Sequence, residues 1–427
     1  MFKLREYQVS LAKKGVEILK LKNIVYLTME VRCGKTLTSL EISRLYGVKK
    51  VLFLTKLKAI QSIKDDFEKM NFYYDLTVIN DESLHKIKDK FDLVIHDEHH
   101  RFGAFPKPNK TAKIFKEKFG NLPMIFLSGT PFPENYSQVY HQFWVSNYSP
   151  FNHSNFYRWA NDFVNIKMRY LGYAEVKDYS DADYNKIEPF IKDYLLTFTQ
   201  QNAGFETVVN ENILYCDMKP ITYAICDKLI SDLVVKGKED VILADTNVKL
   251  QSKLHQLYSG TVKFESGKSK VLDHSKAIFI NEYFKNKKIG IFYKFKAEYE
   301  CLKDIFSDSL TDNLEDFNST DKNIALQIVS GREGISLKNA DYLVYYNIDF
   351  SAVSYWQSRD RLTTMERKTN DIFWVFSKKG IEEKIYRVVQ SKKDYNNKIF
   401  KQDYGISTSN KNNKGVHTKR VLRYQFS

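Results

Sequence analysis

The chain is short of cysteine. Its four, Cys33, Cys216, Cys226 and Cys301, form no CxxC pair and show no zinc-ligand spacing. That argues against a disulfide framework or a structural metal and predicts reduced, mostly buried thiols. Long hydrophobic runs are lacking too, since no stretch of about 18 uncharged apolar residues could cross a bilayer. The opening Met1-Phe2-Lys3-Leu4-Arg5-Glu6-Tyr7-Gln8 lacks the basic-then-apolar layout of a secretory leader. A cytoplasmic protein without membrane contact is expected, in a host cytoplasm if the chain is phage-encoded. No fixed-period repeat is evident. Acid is the charge in deficit: 52 Asp and Glu face 66 Lys and Arg, a net +14 that favours polyanions as partners. Half of the excess lies between Lys392 and Ser427, where nine Lys and Arg face Asp394 and Asp403.

What is present is ordinary globular material, 43% hydrophobic and 28% charged, which fits neither a disordered nor a fibrous chain. With 427 residues, two domains of about 150–200 residues plus extras are expected. Short apolar or β-branched runs at Ile24–Thr28, Val51–Thr55, Leu76–Ile79, Leu93–Ile95 and Met124–Leu127 read as buried parallel strands. Between them Thr36–Tyr46 and Ala59–Met70 have helical spacing. This βαβ alternation predicts a doubly wound sheet with ligands at the carboxyl ends of its strands. The same grammar returns at Lys288–Tyr293, Ala325–Val329, Tyr342–Tyr346 and Ile372–Phe376, with helices at Ala297–Phe306 and Ile381–Val389. Thirteen aromatics between Phe132 and Tyr173 suit either a base-stacking surface or, by default, the packing of a helical subdomain.

Met29-Glu30-Val31-Arg32-Cys33-Gly34-Lys35-Thr36 follows a strand and opens a helix, where backbone N–H groups and a positive helix end cradle phosphate. Lys35 would reach the β/γ-phosphates and Thr36 would offer its hydroxyl to Mg²⁺. Met29 stands where the strict pattern has glycine, and Gly-Lys-Thr alone equally suits an ordinary strand-to-helix turn. Val94-Ile95-His96-Asp97-Glu98 then puts two acids after an apolar strand, Asp97 to hold Mg²⁺ and Glu98 to orient or deprotonate water. A metal cluster of His96, His99 and His100 is the alternative, although strand alternation scatters those side chains. Farther on, Arg359, Arg361 and Arg367 follow Gln357, arranged either to neutralise charge on a γ-phosphate or as a solvated basic helix.

The order of these segments resembles the superfamily-two helicases, DEAD/DEAH-box-like, and within them the Snf-type double-stranded-DNA translocases, from Leu4 to Lys393. Leu4-Arg5-Glu6-Tyr7-Gln8 is similar to the family's opening motif, whose glutamine lies near adenine. Gly34-Lys35-Thr36 and Asp97-Glu98-His99-His100 resemble motifs I and II, the latter with histidine for the alanine of Asp-Glu-Ala-His. Ser128-Gly129-Thr130-Pro131 is similar to motif III, which couples nucleotide state to the nucleic-acid site, and Val78–Leu84 to the Snf-type segment before motif II. Ser330-Gly331-Arg332-Glu333-Gly334-Ile335-Ser336-Leu337 resembles motif V, and Gly380–Ile385 the sequence after motif VI. Gln357 to Arg367 is similar to motif VI with Arg361 at its first arginine position. Asp360 replaces the usual glycine there and Thr364 the second arginine, a loss for which Arg367 is a candidate substitute.

The resemblance implies an α/β protein of two RecA-like doubly wound domains with a helical insertion between them. The expected boundaries are 1–134 for the ATP-binding domain and 135–210 for the aromatic-rich insertion. The second domain is expected over 211–395, with a helical protrusion near 220–275, and a basic tail over 396–427. ATP and Mg²⁺ are the implied ligands. Gln8, Arg32, Cys33, Gly34, Lys35, Thr36, Asp97 and Gly334 would contact the nucleotide or its metal, and Glu98, Lys35, Arg361, Gln357 and Arg367 would serve hydrolysis. Thr55, Lys56 and Arg332 are candidates for nucleic-acid phosphate. The implied activity is ATP-dependent movement along duplex DNA gripped by its backbone. ATP would sit in a cleft between the domains, whose closing and opening shifts one grip past the other. The alternatives are an RNA or single-strand-unwinding helicase, a non-hydrolysing nucleotide-gated scaffold, and a motor subunit with a nuclease partner in trans. A phage or bacterial role in replication, recombination or repair suits the composition.

Overall fold

The computed structural model describes residues 3–389 apart from 134, 171–174, 238, 239, 246, 332–334, 365 and 388. The chain divides into two compact units, one ending at Phe205 and the other beginning at Glu206. Arg332, Gly334 and the 396–427 tail lie outside the described residues.

The first unit runs α1 (Glu6–Lys22), β1 (Ile24–Met29), α2 (Lys35–Tyr46), β2 (Lys50–Thr55), α3 (Ile60–Met70), β3 (Asp75–Asn80), β4 (Leu93–His96), α4 (Lys110–Phe119) and β5 (Met124–Leu127). There follow α5 (Val139–Trp144), α6 (Phe156–Phe163), an antiparallel ribbon of β6 (Lys167–Tyr170) and β7 (Glu175–Asp178), α7 (Tyr184–Ile191) and β8 (Leu195–Phe198). Six strands form one sheet in the order β3-β2-β4-β5-β1-β8, every neighbouring pair parallel. Alternate residues of β1 feed opposite faces: Ile24 and Tyr26 join Phe126 in one core, Val25, Leu27 and Met29 join Leu40 and Ile42 of α2 in the other. Burial on both faces is why β1, β4 and β5 read as unbroken apolar runs.

The aromatic-rich stretch is packing material. Tyr140, Phe143, Phe151, Phe156, Trp159 and Phe163 are all buried in the same cluster as Ile24 and Phe126. Residues 135–205, expected within a separate insertion, supply α5–α7 to one face of this sheet and β8 to its edge. Their rings fill the first unit's core and do not build one of their own.

The second unit begins with β9 (Val208–Cys216), α8 (Pro220–Asp232), a hairpin of β10 (Val234–Lys236) and β11 (Val241–Leu243), and α9 (Asn247–Tyr258). A second hairpin, β12 (Thr261–Lys263) and β13 (Ser269–Val271), leads to α10 (Ser275–Tyr283), β14 (Ile289–Tyr293), α11 (Lys296–Phe306), β15 (Leu310–Thr311), α12 (Leu314–Ser319) and β16 (Asn323–Gln327). The unit continues through α13 (Ile328–Gly331), β17 (Tyr342–Tyr345), α14 (Ala352–Arg359) and β18 (Thr369–Ser377). Its sheet, β15-β16-β14-β17-β18-β9, is again all parallel. Near 220–275, α8, α9 and the two hairpins gather Cys226, Leu229, Leu254, Leu257 and Val262 into a satellite core. The protein is thus α/β, with two RecA-like doubly wound parallel sheets.

The Gly380–Ile385 segment has a structural use. Glu382 Oε1 lies 2.9 Å from Lys276 Nζ, and both side chains are completely buried. A methyl group on Gly380 would fall 1.9 Å from Glu382 Oε2 and 2.8 Å from Ser377 O, so a larger residue there would displace the Glu382 carboxylate. The four cysteines are buried. Among the described residues no helix is long and apolar enough to cross a membrane.

Candidate functional site

β1 ends at Met29, and the chain turns through Glu30–Gly34 into α2. Arg32 (φ 64°) and Gly34 (φ 78°) are left-handed, the conformation that curls backbone into an anion-binding concavity, here at the positive end of a 12-residue helix. Met29 departs from the phosphate-loop pattern at no visible cost, because its side chain is buried with Val25 and Leu27. Cys33 N donates to Glu30 O and closes the turn at 3.3 Å. Lys35 folds back over the loop and donates to Met29 O (3.1 Å) and Glu30 O (3.3 Å). The Ser128–Pro131 turn faces the same ammonium: a methyl group on Gly129 would lie 3.5 Å from Lys35 Nζ.

The opening segment is fastened to this loop. Gln8 accepts from Arg5 N through Oε1 at 2.9 Å, and its Nε2 packs against Gly34. Tyr7 donates its hydroxyl to Cys33 O (3.3 Å) and stacks on Phe198 with ring centres 4.7 Å apart. Gln200 braces the other side: its backbone N donates to Glu30 Oε2 (2.7 Å) and its Nε2 to Val31 O (3.0 Å). No sequence signal pointed to Gln200, which reaches the loop only because β8 pairs with β1.

The two acids follow β4. Parallel register sets Leu54 beside His96, so the next residues, Thr55 and Asp97, are also neighbours. Thr55 Oγ1 donates to Asp97 Oδ2 and Glu98 N to Asp97 Oδ1, both at 3.0 Å. Glu98 is left-handed (φ 49°), a strained conformation for a non-glycine residue. Its Oε2 lies 3.2 Å from His100 Nδ1, and that nitrogen lies 2.9 Å from Ser128 Oγ. Ser128 Oγ in turn accepts from Thr130 N at 3.1 Å. The second acid is therefore linked through His100 to the Ser128–Pro131 turn.

The expected nucleic-acid role of Thr55 does not fit this geometry. Thr55 is 1% exposed and its hydroxyl is engaged by Asp97, so it offers no surface to a phosphate. Lys56 is half-buried, and its charge acts on Asp81.

A buried polar chain runs behind the acids. Arg101 donates to Asp81 Oδ2 (2.6 Å), His96 Nε2 faces Asp81 Oδ1 (3.2 Å), and His96 Nδ1 faces His99 Nδ1 (2.6 Å). His99 Nε2 meets Gln142 O (2.7 Å), while the Gln142 side chain donates to Pro131 O (2.8 Å) and accepts from Tyr26 (2.6 Å). Matching donors to acceptors fixes the protons. A carbonyl only accepts, so His99 carries its proton on Nε2 and accepts at Nδ1. His96 Nδ1 faces that acceptor, and its Nε2 faces the Asp81 carboxylate. Burial pushes His99 well below the usual histidine range, reinforced by the His96 charge. Burial alone would raise the Asp81 carboxyl, but the charges of His96, Arg101 and Lys56 outweigh it and hold it low.

The oxygen donors Thr36 and Asp97 suit a hard cation such as Mg²⁺ carried in with a nucleotide. Among the described residues no three His, Cys, Asp or Glu side chains converge as a metal cage. The His96, His99 and His100 cluster is accordingly not formed, since His96 and His99 point at one another and His100 turns to Ser128.

In the second unit Gln357 lies on α14 and Arg361 just beyond it. Arg361 NH1 donates to Ile335 O (2.9 Å) and Leu337 N to Arg361 O (2.9 Å), tying this segment to the one that resembles motif V. Arg359 pairs with Glu211 of β9 at 3.0 Å, a carboxylate that also accepts from Tyr355, Tyr386 and Trp374. Arg367 does not fit the part of a second catalytic arginine. Its guanidinium binds the carbonyls of Ala340 (2.7 Å), Asp341 and Thr369 (3.2 Å) and fastens the loop before β17.

No protein-family model and no curated protein matches the chain. Among solved structures it is similar to the Sulfolobus solfataricus SWI2/SNF2 ATPase core in complex with dsDNA, at 16% identity over 94% of each chain, with a TM-score of 0.41.

Proposed function

We propose that this chain is a nucleic-acid-dependent ATPase that converts hydrolysis into movement along duplex DNA. The observation that carries the reading is a convergence: Gln8, Gly34–Thr36, Asp97–Glu98 and Ser128–Thr130 come from four separate stretches and meet at the carboxyl edge of one parallel sheet. That edge is where open α/β sheets hold ligands. Duplex DNA as the track is supported by the net charge of +14 and by the Snf-type sequence resemblance.

In this mechanism the left-handed turn at Arg32 and Gly34 receives the phosphates, and Lys35 leaves the Met29 and Glu30 carbonyls to meet the β/γ oxygens. Thr36 and Asp97 would hold Mg²⁺, which when bound would supply positive charge against the phosphoryl oxygens. Glu98 orients the attacking water and takes its proton onto the carboxylate. Because His100 touches both Glu98 and Ser128, loss of the γ-phosphate is transmitted to the Ser128–Pro131 turn.

The test is ATP hydrolysis with duplex DNA, single-stranded DNA, RNA or no polymer at one low salt, with Lys35→Ala as the blank. Strong stimulation by duplex is expected, together with ATP binding but no turnover in Glu98→Gln. Preferential stimulation by RNA or single strands would replace the track, and bound ATP with no turnover on any polymer would replace the motor with a nucleotide-gated scaffold.

A further inference from the structure

We propose that Thr55 is a positioning residue for the nucleotide-bound metal, acting through Asp97, and not a nucleic-acid contact. The proposal rests on the nucleotide-site reading above. Thr55 closes β2 and Asp97 follows β4, and these strands are neighbours in a parallel ladder whose register (Leu54 with His96) sets the two side chains side by side. The Thr55 hydroxyl donates to Oδ2 at 3.0 Å, and the Glu98 N–H holds Oδ1 at 3.0 Å. Both oxygens of the carboxylate are thereby anchored, which fixes the plane it presents. A carboxylate just past a strand end otherwise rotates about two side-chain bonds. A hard cation with near-octahedral demands tolerates little of that rotation.

The neighbouring chemistry makes this anchor selective. Thr55 is 1% exposed, so its hydroxyl has no route to a phosphate backbone. Removing the hydroxyl would strip this hydrogen bond from Asp97 Oδ2. The partners that orient ligating carboxylates commonly change metal affinity by about 10–100-fold when removed. Serine can make the same hydrogen bond, and valine has the same shape without it.

The test titrates Mg²⁺ against binding of a fluorescent, non-hydrolysable ATP analogue to wild type, Thr55→Val, Thr55→Ala and Thr55→Ser, with duplex DNA affinity measured at several salt concentrations. The expected result is a rise of about tenfold in half-saturating Mg²⁺ for the Val and Ala variants. Binding of the analogue in EDTA and the salt slope of DNA binding should stay at wild-type values, and Ser should restore Mg²⁺ dependence. Unchanged Mg²⁺ dependence in a folded Val or Ala variant overturns the proposal. So does a weakened, flatter salt dependence of DNA binding, which would return Thr55 to the nucleic acid. Should both of those variants fail to fold, Thr55→Cys, whose thiol is only a weak donor, decides: raised Mg²⁺ demand upholds the proposal and wild-type demand overturns it. Wild type that binds no nucleotide at all overturns the functional reading itself; Mg²⁺-dependent binding that Val and Ala leave unchanged overturns only the role of Thr55.

Discussion

Gly34 packs so closely on Gln8 that a methyl group at its α-carbon would lie 2.1 Å from the glutamine Nε2. Gly34 also holds φ at 78°, where L-residues are strained. Gly34→Ala is therefore expected to cost about 1–2 kcal/mol in stability and to push Gln8 off the loop. Nucleotide affinity should fall by at least about tenfold. Gln8→Ala removes only the bond to Arg5 N and the side-chain contact, a cost of about 1 kcal/mol. Denaturant melts with nucleotide titration decide the matter, and an alanine at 34 with native stability and affinity would contradict this packing.

His99→Ala restores the residue of the resembled motif and should nevertheless harm the protein. It strips a partner from His96 Nδ1 and from Gln142 O, both buried. Each orphaned group costs about 1–3 kcal/mol. The cycle His96→Ala, His99→Ala and the double variant should be strongly non-additive, the double costing less than the sum of the singles. Additive losses in melting experiments would show that the two imidazoles act independently.

The parallel strands and the loop at Gly34–Thr36 were legible because buried strands of a doubly wound sheet are continuous apolar runs between helical periods. β9 was not legible, since its first half, Val208-Val209-Asn210-Glu211, sits at a sheet edge and alternates exposed with half-buried. Ala325–Val329 was read as one strand, whereas the strand ends at Gln327 and Ile328 opens α13. The site shows the same division. Lys35, Asp97 and Glu98 announce themselves by residue type at a strand end. Gln200 and Gln142 act through contacts 169 and 43 residues away in sequence, to Val31 and His99, and such contacts have no local pattern. Thr55 and Arg367 mark the limit of such reading, because an isolated threonine or arginine carries no sign of whether its polar atoms face a ligand or a neighbouring group of the chain.

Arg367 and Arg361 should separate cleanly. Arg367 binds the carbonyls of Ala340, Asp341 and Thr369, and burial pulls its guanidinium below the usual arginine range. Arg367→Ala is expected to lower stability by about 1–3 kcal/mol through the unpaired carbonyls while folded molecules keep their turnover. Arg361→Ala is expected to cut turnover by about 10³-fold or more, the scale of a charge-neutralising arginine. Turnover per folded molecule, measured beside the melting temperature, reads both effects. Loss of catalysis in a fully stable Arg367→Ala protein would return that residue to the active machinery.

Acid should unfold the protein in two stages set by buried histidines and one carboxylate. Burial lowers His141 to about 4, and burial with the nearby Lys294 charge lowers His255 to about 3. Both imidazoles are neutral in the fold and take up a proton near pH 6.5 once unfolded. Below pH 6.5 the unfolded state therefore binds more protons, so stability falls as pH falls, through about pH 4 for His141 and about pH 3 for His255. Asp81 adds a later loss. Its folded-state value is depressed, so its contribution is complete above the ordinary carboxylate range and disappears as pH drops through that depressed value. Melting temperature should decline steadily from pH 6.5 to 4. His141→Asn should soften the first part of that decline, and a flat profile from 6.5 to 4 would mean that neither histidine is held neutral.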